Sequence, residues 1–99
     1  MAAIKFFPII SNSPGNAIIL SPGQSQAVTI GNRVIIRIAA NAGVNIRFGT
    51  SVSSASASDM YLPPNAPEIF DMGDQNDSLC IYNSSTTNAT VWINPVSKA

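Results

Sequence analysis

The chain has no histidine and only one cysteine among its 99 residues. Histidine is the side chain that most often moves protons near neutral pH, so the commonest acid–base chemistry is unavailable. A lone thiol cannot close an internal disulfide. Cys80 lies in the apolar run Leu79-Cys80-Ile81-Tyr82, where cysteine behaves as a small buried hydrophobe. A serine could draw only on Lys5 or Lys98, both near the ends, and the acids crowd a short stretch with no cleft-forming elements around it. We expect no enzymatic activity and no cofactor.

Charge is also scarce. Asp, Glu, Lys and Arg make up 10% of the residues, against about 25% in an ordinary soluble domain. Five bases balance five acids, for a formal net charge of zero. A free monomer ordinarily stays dispersed through mixed charges and a net charge away from zero. Either partners cover much of this surface, as the charge-poor centres of protein interfaces would have it, or neutral polar groups suffice where the protein works. The few charges are segregated. Residues 1–58 hold Lys5, Arg33, Arg37 and Arg47 and no acid, while residues 59–99 hold Asp59, Glu68, Asp71, Asp74 and Asp77 with Lys98. The halves can neutralise each other within one fold, or a basic side of one copy can meet an acidic side of the next. Four scattered bases are too weak a patch for nucleic acid.

Long apolar runs are missing too. No stretch approaches the roughly 20 residues of a membrane-spanning helix. The apolar start, Met1 to Ile10, is broken by Lys5 and Pro8 and lacks the small-residue cleavage pattern of a leader, so it reads as a chain made in the cytoplasm. The sequons at Asn76, Asn83 and Asn88 then read as chance in an Asn- and Ser-rich chain.

What is present is strand. Short runs rich in Ile, Val, Phe and Thr are punctuated by seven prolines and six glycines, and no window has helical periodicity over three turns. The pattern predicts strands near 4–10, 17–20, 25–30, 33–40, 44–49, 59–62, 67–72, 78–83 and 89–94, with a low-complexity loop over Thr50 to Ser58. A chain of this length buries roughly 60–70% of its unfolded surface and makes one domain. We expect an all-β, single-domain antiparallel β-sandwich or barrel over residues 1–99, with a jelly roll among the arrangements that fit. Residues 1–20 could serve as an extended docking arm.

One hairpin suggests itself in detail. Val34, Ile36 and Ile38 alternate with Arg33, Ile35 and Arg37; Val44, Ile46 and Phe48 alternate with Asn45 and Arg47. Both apolar trios must face one core. A three-residue loop, Asn41-Ala42-Gly43, would set that register, with Gly43 left-handed. Arg37 would then face Arg47, with Arg33 nearby, and carboxylates from residues 59–77 or from another subunit would neutralise the three. In the second half, Glu68, Phe70 and Met72 share one face and Ile69 and Asp71 the other. Several strands are apolar on both faces, as expected where one meets a core and the other a partner. Trp92 and Tyr82 are core residues or interface anchors. The segment from Asp71 to Asp77 spaces three acids around Gly73; these could offer oxygen ligands to a hard cation such as calcium, but the spacing differs from an EF-hand loop and Asp, Asn and Gly are also what a hairpin turn prefers.

Taken together, Arg47-Phe48-Gly49, the Ser/Ala-rich loop, Asp59-Met60-Tyr61-Leu62-Pro63, Pro67-Glu68-Ile69-Phe70 and Gly73 resemble a pattern in short structural proteins of tailed bacteriophages. The resemblance covers about residues 46–93. It implies a small β-barrel or sandwich in the virion, similar to capsid decoration (cement) proteins that sit on the outer shell as homotrimers and clamp neighbouring capsomers. The partners so implied are the major capsid protein and other copies of the chain, with no nucleic acid and no membrane. The interface residues expected are Arg33, Arg37, Arg47, Glu68, Asp71 and Trp92. Two other functions stay open: another virion component (tail, fibre or head–tail connector module) and a carbohydrate-binding β-sandwich.

Overall fold

Alternating apolar residues with turn-formers between them give eight strands in the computed structural model, which describes residues 17–52 and 54–98. They are β1 (Ala17–Leu20), β2 (Ser25–Thr29), β3 (Val34–Ala40), β4 (Val44–Gly49), β5 (Met60–Leu62), β6 (Glu68–Asp71), β7 (Ser78–Asn83) and β8 (Ala89–Lys98). Sheet A has the order β1-β8-β3-β6 and sheet B the order β2-β7-β4-β5. Every pairing is antiparallel.

The pairings β4–β5, β3–β6, β2–β7 and β1–β8 are nested, as if one long hairpin with β4–β5 at its tip had been rolled up. The β3–β8 and β4–β7 ladders close the roll. This is the eight-stranded jelly roll, a β-sandwich of two Greek keys. The expected strand at 4–10, and residues 1–16 of the expected arm, lie outside the described residues. Residues 17–20 form β1, paired along sheet A to β8.

The expected β3–β4 hairpin does not form. β3 pairs with β6 and β8, and β4 with β5 and β7, so the two strands lie in opposite sheets. Alternation decides which side chains face inward but not which strand lies alongside, and two sheets packed face to face satisfy the inward trios equally well. Asn41 holds the link to β8 instead: its N–H donates to Thr90 O at 3.1 Å, and its Oδ1 accepts from Thr90 N at 2.8 Å. Gly43 is not left-handed. Its missing Cβ leaves room for the Tyr61 ring, whose Cε1 would lie 2.8 Å from such an atom.

Leu20, Ile36, Ile38, Val44, Ile46, Leu62, Leu79, Ile81, Val91 and Ile93 fill the space between the sheets, each almost fully buried. Phe48 of sheet B and Phe70 of sheet A close one end, their ring centroids 5.1 Å apart. Among the described residues β1 pairs with β8 only over Ala89 to Trp92, so there the later part of β8, with Pro95, has a strand on one side alone.

At the other end Asn83 is fully buried with every polar group used. Its Nδ2 donates to Leu20 O at 2.9 Å and to Thr87 O at 2.8 Å. Its Oδ1 accepts from Ser85 N at 2.9 Å and from Ser85 Oγ at 2.6 Å. One side chain of sheet B thereby ties the end of β1 in sheet A and shapes the turn into β8. Buried and committed, it is no glycan acceptor despite its sequon. Replacing Asn83 by Leu keeps volume but strands those backbone groups in a dry site, at about 1–3 kcal/mol for each left unsatisfied. We expect N83L to lower unfolding free energy by about 2–4 kcal/mol with an unchanged m-value in urea. A loss under about 0.5 kcal/mol, the range of an ordinary surface change, would refute this role.

Candidate functional site

An interior filled with aliphatic side chains leaves the two outer sheet faces to meet other molecules, and these faces differ. On sheet B, alternation turns Asn45, Arg47, Ser78 and Cys80 outward. Yet Asn45, Ser78 and Cys80 are at most 3% exposed. Residues of the segment 50–59, expected as a plain loop, are fastened across that face. Thr50 Oγ1 donates to Gln75 O at 2.8 Å, Ser51 N to Asp77 Oδ1 at 3.1 Å, and Val52 N to Ser78 Oγ at 2.8 Å. Asn45 Nδ2 donates to Asp59 O at 2.8 Å and Ala57 O at 3.3 Å. Small residues permit the close approach: a Cβ on Gly49 would stand 2.5 Å from Val52 Cγ2.

Asp59 latches this cover. Its Oδ2 accepts from Ser56 N at 2.7 Å and its Oδ1 from Arg47 Nε at 2.9 Å. The Ser56 amide, followed by the Arg47 guanidinium, holds the Asp59 carboxyl below its usual range, against a smaller opposing effect of desolvation. Burial under the cover pushes the Cys80 thiol up, which keeps it a neutral, unreactive hydrophobe.

Among the described residues, no segment covers the outer face of sheet A. Ile19, Ile69 and Trp92 point outward from β1, β6 and β8 and remain 67%, 64% and 37% exposed. Arg37 stands among them on β3, opposite Asn94 on one side and Ile69 on the other. Ala17 and Ala39 flank Trp92 in register. The result is an apolar face, flat between its larger side chains, with one guanidinium near its middle and Asp71 on the edge strand.

The three arginines expected in one patch are therefore apart. Arg33 sits in the β2–β3 turn with φ 61°, its N–H donating to Gly73 O at 2.8 Å and its Nε 3.0 Å from Asp74 Oδ1. Arg37 lies on sheet A and Arg47 on sheet B, opposite Cys80 rather than Arg37. The expected neutralising carboxylates from residues 59–77 do reach Arg33 and Arg47. The Arg33–Asp74 pair is solvent-exposed on both sides, so it adds little stability. Glu68 lies at the exposed end of the inward face of β6, opposite Ile38. Asp71 Oδ1 accepts from Gly73 N at 2.9 Å, capping the turn. With Asp74 on Arg33 and Asp77 on Ser51, each acid of that segment has a protein partner, and no group of three metal-ligating side chains occurs among the described residues.

Sequence reasoning passed over Ile19 and Ile69 as surface residues, although their signal was legible: both lie in strands apolar on the two faces. The covering role of 50–59 had no signal, because a Ser/Ala-rich run is equally compatible with a solvated loop.

No family model and no curated protein matches the chain. Among solved structures it is similar to a de novo designed double-stranded β-helix determined by solution NMR. The TM-score is 0.59 and the identity 18%, over 80% of this chain and 94% of that one. The likeness concerns fold.

Because the Asp59 carboxylate is held below its ordinary value, the stability it lends is present above the usual carboxylate range and is lost as pH falls through the lowered value. Relative to an unstructured thiol at the same pH, Cys80 labelling by dithiodipyridine should speed up as pH falls through the carboxylate range. Asp59→Asn should raise the neutral-pH rate by roughly tenfold through easier local opening. Equal rates for variant and wild type would show that Asp59 does not hold the cover.

Proposed function

We propose that the chain is a non-enzymatic structural module that works by being packed against other subunits, and that its setting is the outside of a viral capsid, where it stabilises contacts between capsomers. The observation that carries this reading is the inequality of the two outer faces. One is sealed by the chain itself; the other presents Ile19, Ile69 and Trp92.

The thermodynamics suit the role. A protein that binds an assembled shell better than its free subunits stabilises the shell by mass action, with no chemical step. It requires apolar area and matching polar groups, and a low charge density lessens the desolvation cost of burying the face. Jelly rolls are used in viral capsid domains and also in lectins, so the fold alone does not choose. A glycan reading has one feature in its favour: Trp92 stands beside Asn94 and Arg37, an aromatic surface next to polar groups. Placement elsewhere in the virion, in a tail, fibre or connector, would use the same face against a different subunit.

The deciding experiment is co-sedimentation of the purified chain with capsids of the phage whose genome carries it, alongside Ile69→Asp. We expect the wild type to pellet with shells and to raise their disruption temperature, and I69D to lose both by at least about tenfold in affinity, as for an interface anchor. Wild type that ignores shells but shows saturable shifts with oligosaccharides would replace this reading with the glycan one.

A further inference from the structure

At the middle of the bare face stand two side chains that call for a partner. β8 and β3 are the inner strands of sheet A. Trp92 is opposite Ala39 and Arg37 is opposite Asn94, so Trp92 and Arg37 are diagonal neighbours on these strands. Arg33 and Arg47 each have a carboxylate. The Arg37 guanidinium has no ion pair or side-chain hydrogen bond with any described residue.

We propose that this face pairs with the same face of a second copy across a two-fold axis, so that each Arg37 lies on the indole of the partner subunit's Trp92. The inference rests on the reading of sheet A as an assembly face and names its occupant. A two-fold axis lying in the interface, oblique to the strands and perpendicular to the line from Trp92 to Arg37 at its midpoint between β3 and β8, exchanges these diagonal neighbours. Both chains' requirements are then met at once by a self-complementary contact. A guanidinium stacks on an indole and is attracted by its π face, and the contact strengthens as water is excluded. Trp and Arg are the residue types that dominate interface energetics when central. Ala17 and Ala39 beside Trp92 allow close approach, and Ile19 and Ile69 lie outward from the centre. With no net charge, two copies carry no overall repulsion.

The area sets the strength. Four strands at about 4.8 Å spacing and about seven residues at about 3.3 Å give a footprint of roughly 450 Å². That is at the small end for a specific interface, so pairing should depend on concentration. The resemblance to capsid decoration proteins implies three-fold assembly; the placement of Arg37 and Trp92 favours a two-fold pair.

Trp92 is the chain's single tryptophan, so its emission reports on this face alone. The test is sedimentation velocity from micromolar to near-millimolar chain, with Trp92 emission on the same samples and capsid co-sedimentation in parallel. We expect a monomer–dimer transition with a blue shift that follows it. Arg37→Glu should raise the dimer dissociation constant by at least about tenfold while the dilute chain keeps its melting temperature, and Arg37→Lys by less. A dimer indifferent to Arg37→Glu and Trp92→Ala, or a trimer, overturns the pairing. A monomer whose emission is blue-shifted at every concentration also overturns it, since the chain would then cover its own face. A monomer that pellets with capsids through Trp92 assigns the face to another protein and leaves the assembly reading standing. A monomer that attaches to no particle removes both.

Discussion

The inward side chains of two sheets meet in a dry aliphatic layer, and the rest of the molecule is arranged around keeping that layer closed. Strand alternation forces it: β3 and β4 place their even-numbered residues inside, β7 and β8 their odd-numbered ones. The polar residue admitted to this interior, Asn83, is held by four hydrogen bonds that join the two sheets and set the turn before β8. Among the described residues, the layer between the sheets carries no titratable group.

The exterior follows from the same alternation. Sheet B turns an asparagine, a serine and a cysteine outward, and the chain covers them itself. Backbone amides of the 50–59 segment find acceptors on Ser78, Asp77 and Asp59, and Arg47 fastens Asp59. Sheet A turns isoleucines and a tryptophan outward and has no covering segment among the described residues. Burying polar groups needs specific hydrogen-bond partners, which a chain can supply from a neighbouring loop. Burying an apolar face needs only a matching surface, which another subunit can supply. The scarcity of charge, unusual for a free domain, is consistent with that division.

Much of this was legible in the sequence. Seven of the eight strands fall within two residues of their expected bounds; β8 runs four residues further, because it continues beside β3 after leaving β1. The inward residues and the all-β sandwich were also readable. The partners of each strand were not. Period-two patterning is indifferent to whether Ile38 sits beside Ile46 in one sheet or across the core from it, and the wrong choice carried the arginine cluster with it. Carboxylates from residues 59–77 reach Arg33 and Arg47 as expected, but in two separate pairs rather than around one patch, and Arg37 has no such partner among the described residues. The cover over Cys80 was not legible, because its hydrogen bonds come from backbone amides that any sequence possesses.

The account turns on which outer face is buried when the protein is at work. Hydroxyl-radical footprinting of the free chain and of the chain in its assembled state measures this directly, because both faces carry reactive side chains. We expect Trp92, Ile19 and Ile69 to become protected on assembly while Tyr61, opposite Asn45 on the outer side of sheet B, keeps its reactivity. Protection of Tyr61 with Trp92 as reactive as in the free chain would contradict the account.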